Sequence, residues 1–195
     1  MADEPRFQPE SRAEWRAWLA EHHDRESGVW LVMWKKRTGR PTVSYEEAVE
    51  EALCFGWIDG VLGRLDDDRS MQWFALRKPR STWARSNKER VARLEAAGLM
   101  TEAGRRAVDL ARANGSWESL DAIDALIVPE DLAAALADRP GARERFDASS
   151  VSVRKSALAW VYQARRAQTR ATRVERVATI AASGEPISNL WRRRD

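Results

Sequence analysis

The sequence predicts an α+β protein, with a small, mainly antiparallel sheet packed on helices in its N-terminal half and an all-helical C-terminal half. Three observations carry this reading. The apolar runs Val29–Trp34, Trp57–Leu65 and Ser70–Leu76 all lie before residue 77, and each is too short for an ordinary helix. Ser-x-x-Glu pairs recur ahead of apolar stripes spaced i, i+3, i+4, the pattern of a capped amphipathic helix. After Leu76 every apolar pattern has the helical period.

The elements follow in order. Ser11 and Glu14 have capping-box spacing, and Trp15, Trp18, Leu19 and His22 fall on one helical face behind them. Gly28 precedes the buried strand Val29–Trp34, and Gly39 and Pro41 mark a turn. Ser44 and Glu47 repeat the capping box, Tyr45, Ala48, Val49, Ala52 and Leu53 form the stripe, and Gly56 ends it. Two strands then flank Asp66, Asp67, Asp68 and Arg69, since adjacent aspartates are tolerated in a solvated hairpin loop. Ser86 and Glu89 predict a third capping box. Thr101 caps a helix that stops at Asn114-Gly115, and Pro129 suits a first helical position. Val153, Ala157, Trp160, Val161 and Ala164 line one helix. A last helix, capped by Thr169, turns Val174, Val177, Ala178 and Ala181 inward and stops at Gly184 and Pro186. The expected division is a Trp-rich α+β domain over 1–115 and an Arg-rich helical module over 116–195, in one globule or two.

Composition narrows the class. The chain has 195 residues, 44% of them hydrophobic, enough for a core. No run approaches the 18–20 or so apolar residues of a membrane helix. The polar start, with Asp3, Glu4 and Arg6, has neither the basic start nor the apolar run of a secretory signal, so none is expected. One cysteine, Cys54, excludes an intrachain disulfide and fits a reducing compartment, so a cytoplasmic location is expected. The net charge of +3 is unevenly spread: residues 151–195 carry ten Arg/Lys against three Asp/Glu. Such a basic stretch points to an anionic partner, although 28 Arg against 5 Lys is also what genome base composition produces.

Several chemistries find no footing. His22 and His23 are adjacent, so on a helix they point about 100° apart and do not chelate together. With one Cys and no other His, no zinc site and no metal or cofactor is expected. Cys54 near the end of an apolar helix reads as an inert thiol. Gly56, Gly60 and Gly63 lack the Walker Lys-Ser/Thr and the G-x-G-x-x-G spacing, so close packing explains them better.

Two segments are candidate recognition elements. In Phe55-Gly56-Trp57-Ile58-Asp59-Gly60, strand alternation puts Trp57 and Asp59 on one face, and an acid among apolar residues needs a partner. Arg77-Lys78-Pro79-Arg80-Ser81-Thr82-Trp83 carries three cations before an aromatic residue, in a loop that Pro79 restricts. With a hairpin loop at Asp66–Arg69, Asp59 is expected to pair near Ala75 to Arg77. Trp57, Asp59, Arg77, Lys78, Arg80 and Trp83 then make a candidate site. The guanidinium and ammonium donors would bind a carboxylate or phosphate, and the indoles would stack on a flat group. The competing reading is an ordinary ion pair of Asp59 with Trp57 and Trp83 in the core. A second candidate is the cluster Arg165, Arg166, Arg170, Arg173 and Arg176, extended by Arg192–Arg194. Such a stripe can follow a phosphate backbone, or be a solvated helix face.

The runs YEEAVEEALCFGWIDG (Tyr45 to Gly60), RKPRSTWARSNKERVARLEAAGLM (Arg77 to Met100) and Ser152 to Gly184 resemble the YdeI/OmpD-associated family, whose C-terminal region is named for bacteriocin protection. The resemblance covers nearly the whole chain. It implies a bacterial α+β protein with a helical C-terminal module and a link to envelope stress, and it supplies no catalytic residue or cofactor. Ala75-Leu76 and Ala167-Gln168-Thr169-Arg170 depart from the family's Thr-Pro and Pro-Glu-Thr-Arg. The expected function is a non-catalytic binding or stress-response protein that recognises an anionic small molecule or a protein. The alternatives are a nucleic-acid-associated protein using the C-terminal arginines, and an enzyme with Asp59 as base in a Trp-lined cleft.

Overall fold

The computed structural model describes residues 4–191. The chain forms two compact units, Met1–Glu118 and Ser119–Asp195.

The N-terminal unit is built on a four-stranded sheet. Its strands are β1 (Arg6–Phe7), β2 (Gly28–Trp34), β3 (Trp57–Arg64) and β4 (Arg69–Leu76), in the order β1-β2-β4-β3. The two pairs involving β4 are antiparallel and β1 is parallel to β2. The sequence reading missed β1, because two residues carry no periodicity. Helices α1 (Arg12–His22) and α2 (Tyr45–Cys54) cover one face. Trp15 packs on Phe74 at 5.5 Å between ring centroids, and its indole N–H donates to the Ala48 carbonyl at 3.0 Å. Trp18 sits edge-on to Trp57 at 5.9 Å. Nδ1 of His22 and of His23 donate to the Trp18 and Leu19 carbonyls, and the His23 ring meets Phe55 at 5.3 Å. Helices α3 (Arg85–Ala96) and α4 (Glu102–Ala113) pack on α2.

The caps are partly as read. Ser44 and Glu47 form the full box. Ser11 accepts from the Glu14 N–H, but the Glu14 carboxylate takes the Glu10 N–H instead of that of Ser11. The third box does not form. The Ala84 carbonyl already accepts from Asn87 and Lys88, so α3 starts before Ser86 and Glu89 pairs with Arg85 at 2.9 Å. The hairpin register differs as well. Arg64 pairs with Ser70, and a bulge between Asp59 and Leu62 shifts the pairing again, so that Asp59 faces Phe74 and Trp57 faces Leu76.

The C-terminal unit is helical throughout its described residues: α5 (Asp121–Asp124), α6 (Glu130–Ala137), α7 (Ala142–Ala148), α8 (Val151–Tyr162) and α9 (Ala167–Ser183), then a 3₁₀ turn at Ile187–Trp191. Val174, Val177, Ala178 and Ala181 of α9 are buried, as their spacing predicts, among Leu132, Leu136, Phe146 and Leu158. Pro129 is the N-cap of α6 and not its first residue. Thr169 lies inside α9, whose N-cap is Arg166. Gly184 closes α9 with φ 79°, the left-handed conformation glycine adopts without penalty. Arg145 donates to the Ala181 and Ala182 carbonyls, both at 2.7 Å, meeting the free acceptors of the last turn. Among the described residues no helix is long and apolar enough to cross a membrane.

Candidate functional site

Asp59 projects from β3 on the face that also carries Trp57. The residue that meets it is Tyr45, the first of α2, whose hydroxyl donates to Asp59 Oδ2 at 2.7 Å. Burial and that carboxylate push the phenol up to about 12, so Tyr45 remains a donor through the neutral range. Asp59 also acts by charge on Arg77 and Arg90. Arg90 forks onto Glu46, Nε to Oε1 at 2.9 Å and Nη2 to Oε2 at 2.6 Å, and Nη1 donates to Asn87.

Arg77 lies just beyond β4. Its backbone N–H donates to the Gly56 carbonyl at 3.0 Å, which continues the hairpin by one rung. The residue is 9% exposed. Its guanidinium lies over Trp83, 3.7 Å from the ring centroid, and Nη2 donates to the Thr82 carbonyl at 2.5 Å. Nε and Nη1 are buried and have no hydrogen-bond partner in the protein. Burial pulls the group down to about 10, opposed by the charge of Asp59, so it stays a cation at neutral pH. A buried cation with open donors has the chemistry to bond an anion's oxygen.

The loop after Arg77 is pinned at three points: Arg77 to Thr82, the Ser81 N–H to the Lys78 carbonyl, and Asn114 Nδ2 to the Pro79 carbonyl at 2.7 Å. Lys78 and Arg80 are exposed upon it. Trp57 and Trp83 are 0% and 1% exposed, and the Trp57 indole donates to the His23 carbonyl. Both are therefore core side chains with no face turned to a ligand, which corrects the stacking role drawn from the sequence. Trp83 instead backs Arg77 and stands 4.9 Å from Trp117. The structure brings Asp59 and Arg77 into one electrostatic neighbourhood and leaves Lys78 and Arg80 exposed on the loop that follows. Tyr45 and Arg90 were missed. The spacing of Tyr45 places it with an apolar stripe, but at 49% exposure it stands off that stripe.

The C-terminal arginines are largely engaged. Arg170 forks onto Asp131 at 2.6 and 2.9 Å. Arg173 donates to the Trp160 carbonyl and lies 5.2 Å from the Trp160 ring, with Arg176 at 5.9 Å. Arg165 and Arg166 are exposed at the start of α9, and Arg192–Arg194 lie outside the described residues.

Residues 7–107 match the family described as Domain of unknown function (DUF8412). The chain belongs to that family. Its DUF8412 region holds all of Tyr45, Asp59, Arg77 and Arg90, and it also contains the runs Tyr45 to Gly60 and Arg77 to Met100. Residues 125–184 match the family described as Bacteriocin-protection, YdeI or OmpD-Associated. The C-terminal half thus carries a YdeI/OmpD-associated region, and the resemblance read across nearly the whole chain narrows to that stretch. No match to the chain was found among curated proteins or among solved structures.

Proposed function

We propose that the chain is a binding protein without catalysis of its own, and that its DUF8412 region takes an anionic small molecule at Arg77. One observation carries this reading: an arginine that is 9% exposed, with its Nε and Nη1 buried and unpartnered. Leaving a buried donor unsatisfied costs about 1–3 kcal/mol, and more for a charged group. A carboxylate or phosphate oxygen against Arg77 would offset that cost. Tyr45 and Asp59 would orient a donor group on the same ligand, while Lys78 and Arg80 would attract it from solution. The family description matched over residues 125–184 speaks of bacteriocin protection, and a stress-response setting is the reading we draw from it; a reducing, cytoplasmic compartment is one that suits a chain without disulfides.

The test is thermal unfolding against a panel of small carboxylates and phosphates, since a ligand of the native state raises its stability by mass action. The wild type is expected to be stabilised by at least one member. Arg77→Met should abolish that shift, and Lys78→Ala or Arg80→Ala should weaken it. No shift with the wild type, or a shift that survives Arg77→Met, sinks the proposal and leaves Arg77 a structural residue.

A further inference from the structure

The other face of the sheet raises a separate question. The β2–β4 register sets Trp30 opposite Trp73, Val32 opposite Met71 and Trp34 opposite Arg69. By alternation these lie on the face away from Val29, Leu31 and Phe74, the core residues that meet α1 and α2. Three tryptophans on one sheet face are unusual for a surface, and their neighbours are fitted to them. A Cβ at Gly28 would stand 2.2 Å from Trp73 Cζ2, and one at Gly60 3.1 Å from Trp73 Cδ1. A Cβ at Gly63 would stand 3.0 Å from Met71 Cε. Glycines on both flanking strands therefore make room for broad side chains to lie across the sheet. Trp30 and Trp73 meet at 5.3 Å in a T-shaped pair, and all three indoles remain partly exposed.

Charge gives this face a sign. Arg37, Arg64 and Arg69 are neutralised by Asp68, Asp67 and Asp66 of the hairpin loop. Arg6 and Arg40 have no ion-pair partner among the described residues. Arg6 is the register partner of Trp30, and the Arg40 guanidinium lies 4.3 Å from the Trp34 ring centroid. Glu4 accepts from the Trp30 indole N–H, and Asp66, Asp67 and Asp68 are taken up in the ion pairs of the hairpin loop. After its internal ion pairs are subtracted, the face is aromatic and positive.

We propose that this face binds single-stranded nucleic acid, with bases stacking on Trp30, Trp73 and Trp34 and the backbone following Arg6 and Arg40. Flat π surfaces beside cations are what an unpaired strand requires, because every base offers a π face and every linkage a negative charge. Trp30 and Trp34 are four strand residues apart, about 13 Å, so the platform accommodates a short run of bases. A duplex keeps its base faces internal and gains nothing from the indoles. A second copy of the chain would bring like charges face to face. The surface is distinct from the arginines of α9 and from the Arg77 site, so it stands or falls independently of both.

The experiment is fluorescence anisotropy with labelled oligo(dT) and oligo(U) across a salt series, on the full chain. Both oligomers are expected to bind at low salt and to quench tryptophan emission, and a duplex of the same length should bind more weakly. Trp30→Ala should weaken binding by about tenfold or more. Arg40→Ala, a change at an exposed side chain that spares the fold, should weaken binding and reduce the salt slope by about 0.7 for the one phosphate it contacts. Arg165→Ala with Arg166→Ala should change nothing. Four results would overturn the proposal: no binding of either oligomer at low salt; binding lost with the Arg165 and Arg166 pair and retained in Arg40→Ala; a concentration-dependent dimer that Trp30→Ala dissolves, without oligomer binding; or binding to anionic phospholipid vesicles in place of oligomers.

Discussion

Arg77 combines features that usually exclude one another: it is charged, buried, stacked on an indole and without a carboxylate in hydrogen-bond contact. Replacing a buried ion pair by apolar side chains is often neutral or stabilising, and removing one partner is costly because it strands the other charge; Arg77 has no bonded carboxylate to strand. We expect Arg77→Met to leave unfolding stability in urea within about 1 kcal/mol of the wild type, even as it removes the ligand response. A drop well beyond that would mean that the Thr82 bond and the Trp83 stack are its purpose. Gly104 makes a sharper case. A Cβ there would lie 2.2 Å from the Cys54 carbonyl oxygen, and both sides of that contact are backbone. Gly104→Ala is expected to cost about 1–3 kcal/mol in urea unfolding, with little effect on Arg77. The cations at the strand end were readable in the sequence, as was the need of Asp59 for a partner. Their partners were not, because Tyr45 reaches Asp59 from another element, and because a bulge moved the hairpin register away from the simple count.

At the scale of elements, α2 is held by arginines on both sides. Glu51, 2% exposed, accepts from Arg12 and Arg16 of α1, both at 2.5 Å. Glu46 and Glu50 accept from Arg90 and Arg93 of α3. Removing one partner of a buried pair costs about 3–5 kcal/mol. Arg12 and Arg16 are about one-third exposed, so Glu51→Ala should fall at the lower end of that range by chemical denaturation. The hydrogen bond from Arg90 holds the Glu46 carboxyl below its ordinary 4.5. With the folded value below the unfolded one, the stabilisation is complete above about pH 4.5 and fades as pH falls through the folded value. Unfolding midpoints followed from neutral to acid pH should decline in that window, and less steeply in Glu46→Gln; equal slopes would show that the contact contributes nothing. Apolar spacing revealed each helix in this group, but not the ladder between them, since its members lie some 40 positions apart in the chain.

At the scale of the whole chain, each unit has its own core, and each is met by a different family model. We expect residues 119–195, expressed alone, to unfold cooperatively with a helical circular-dichroism spectrum; a disordered fragment would deny the unit its independence. Arg170 and Arg173 serve that unit from within, so replacing both by Ala should lower its melting temperature more than it alters any binding. Sheet order adds a constraint in time. The central strand β4 is the last of the four to be synthesised, yet both β2 and β3 depend on it. The rung from Arg64 to Ser70 closes across a short turn, whereas Trp34 must wait for Arg69, 35 positions further on. Local closure is fast and distant closure slow, so the β3–β4 hairpin would form first and β2 dock upon it. On the ribosome, Trp30 and Trp34 therefore emerge well before the surface that receives them, and through that interval two indoles and an unpaired strand edge stand open to chaperones and to neighbouring chains.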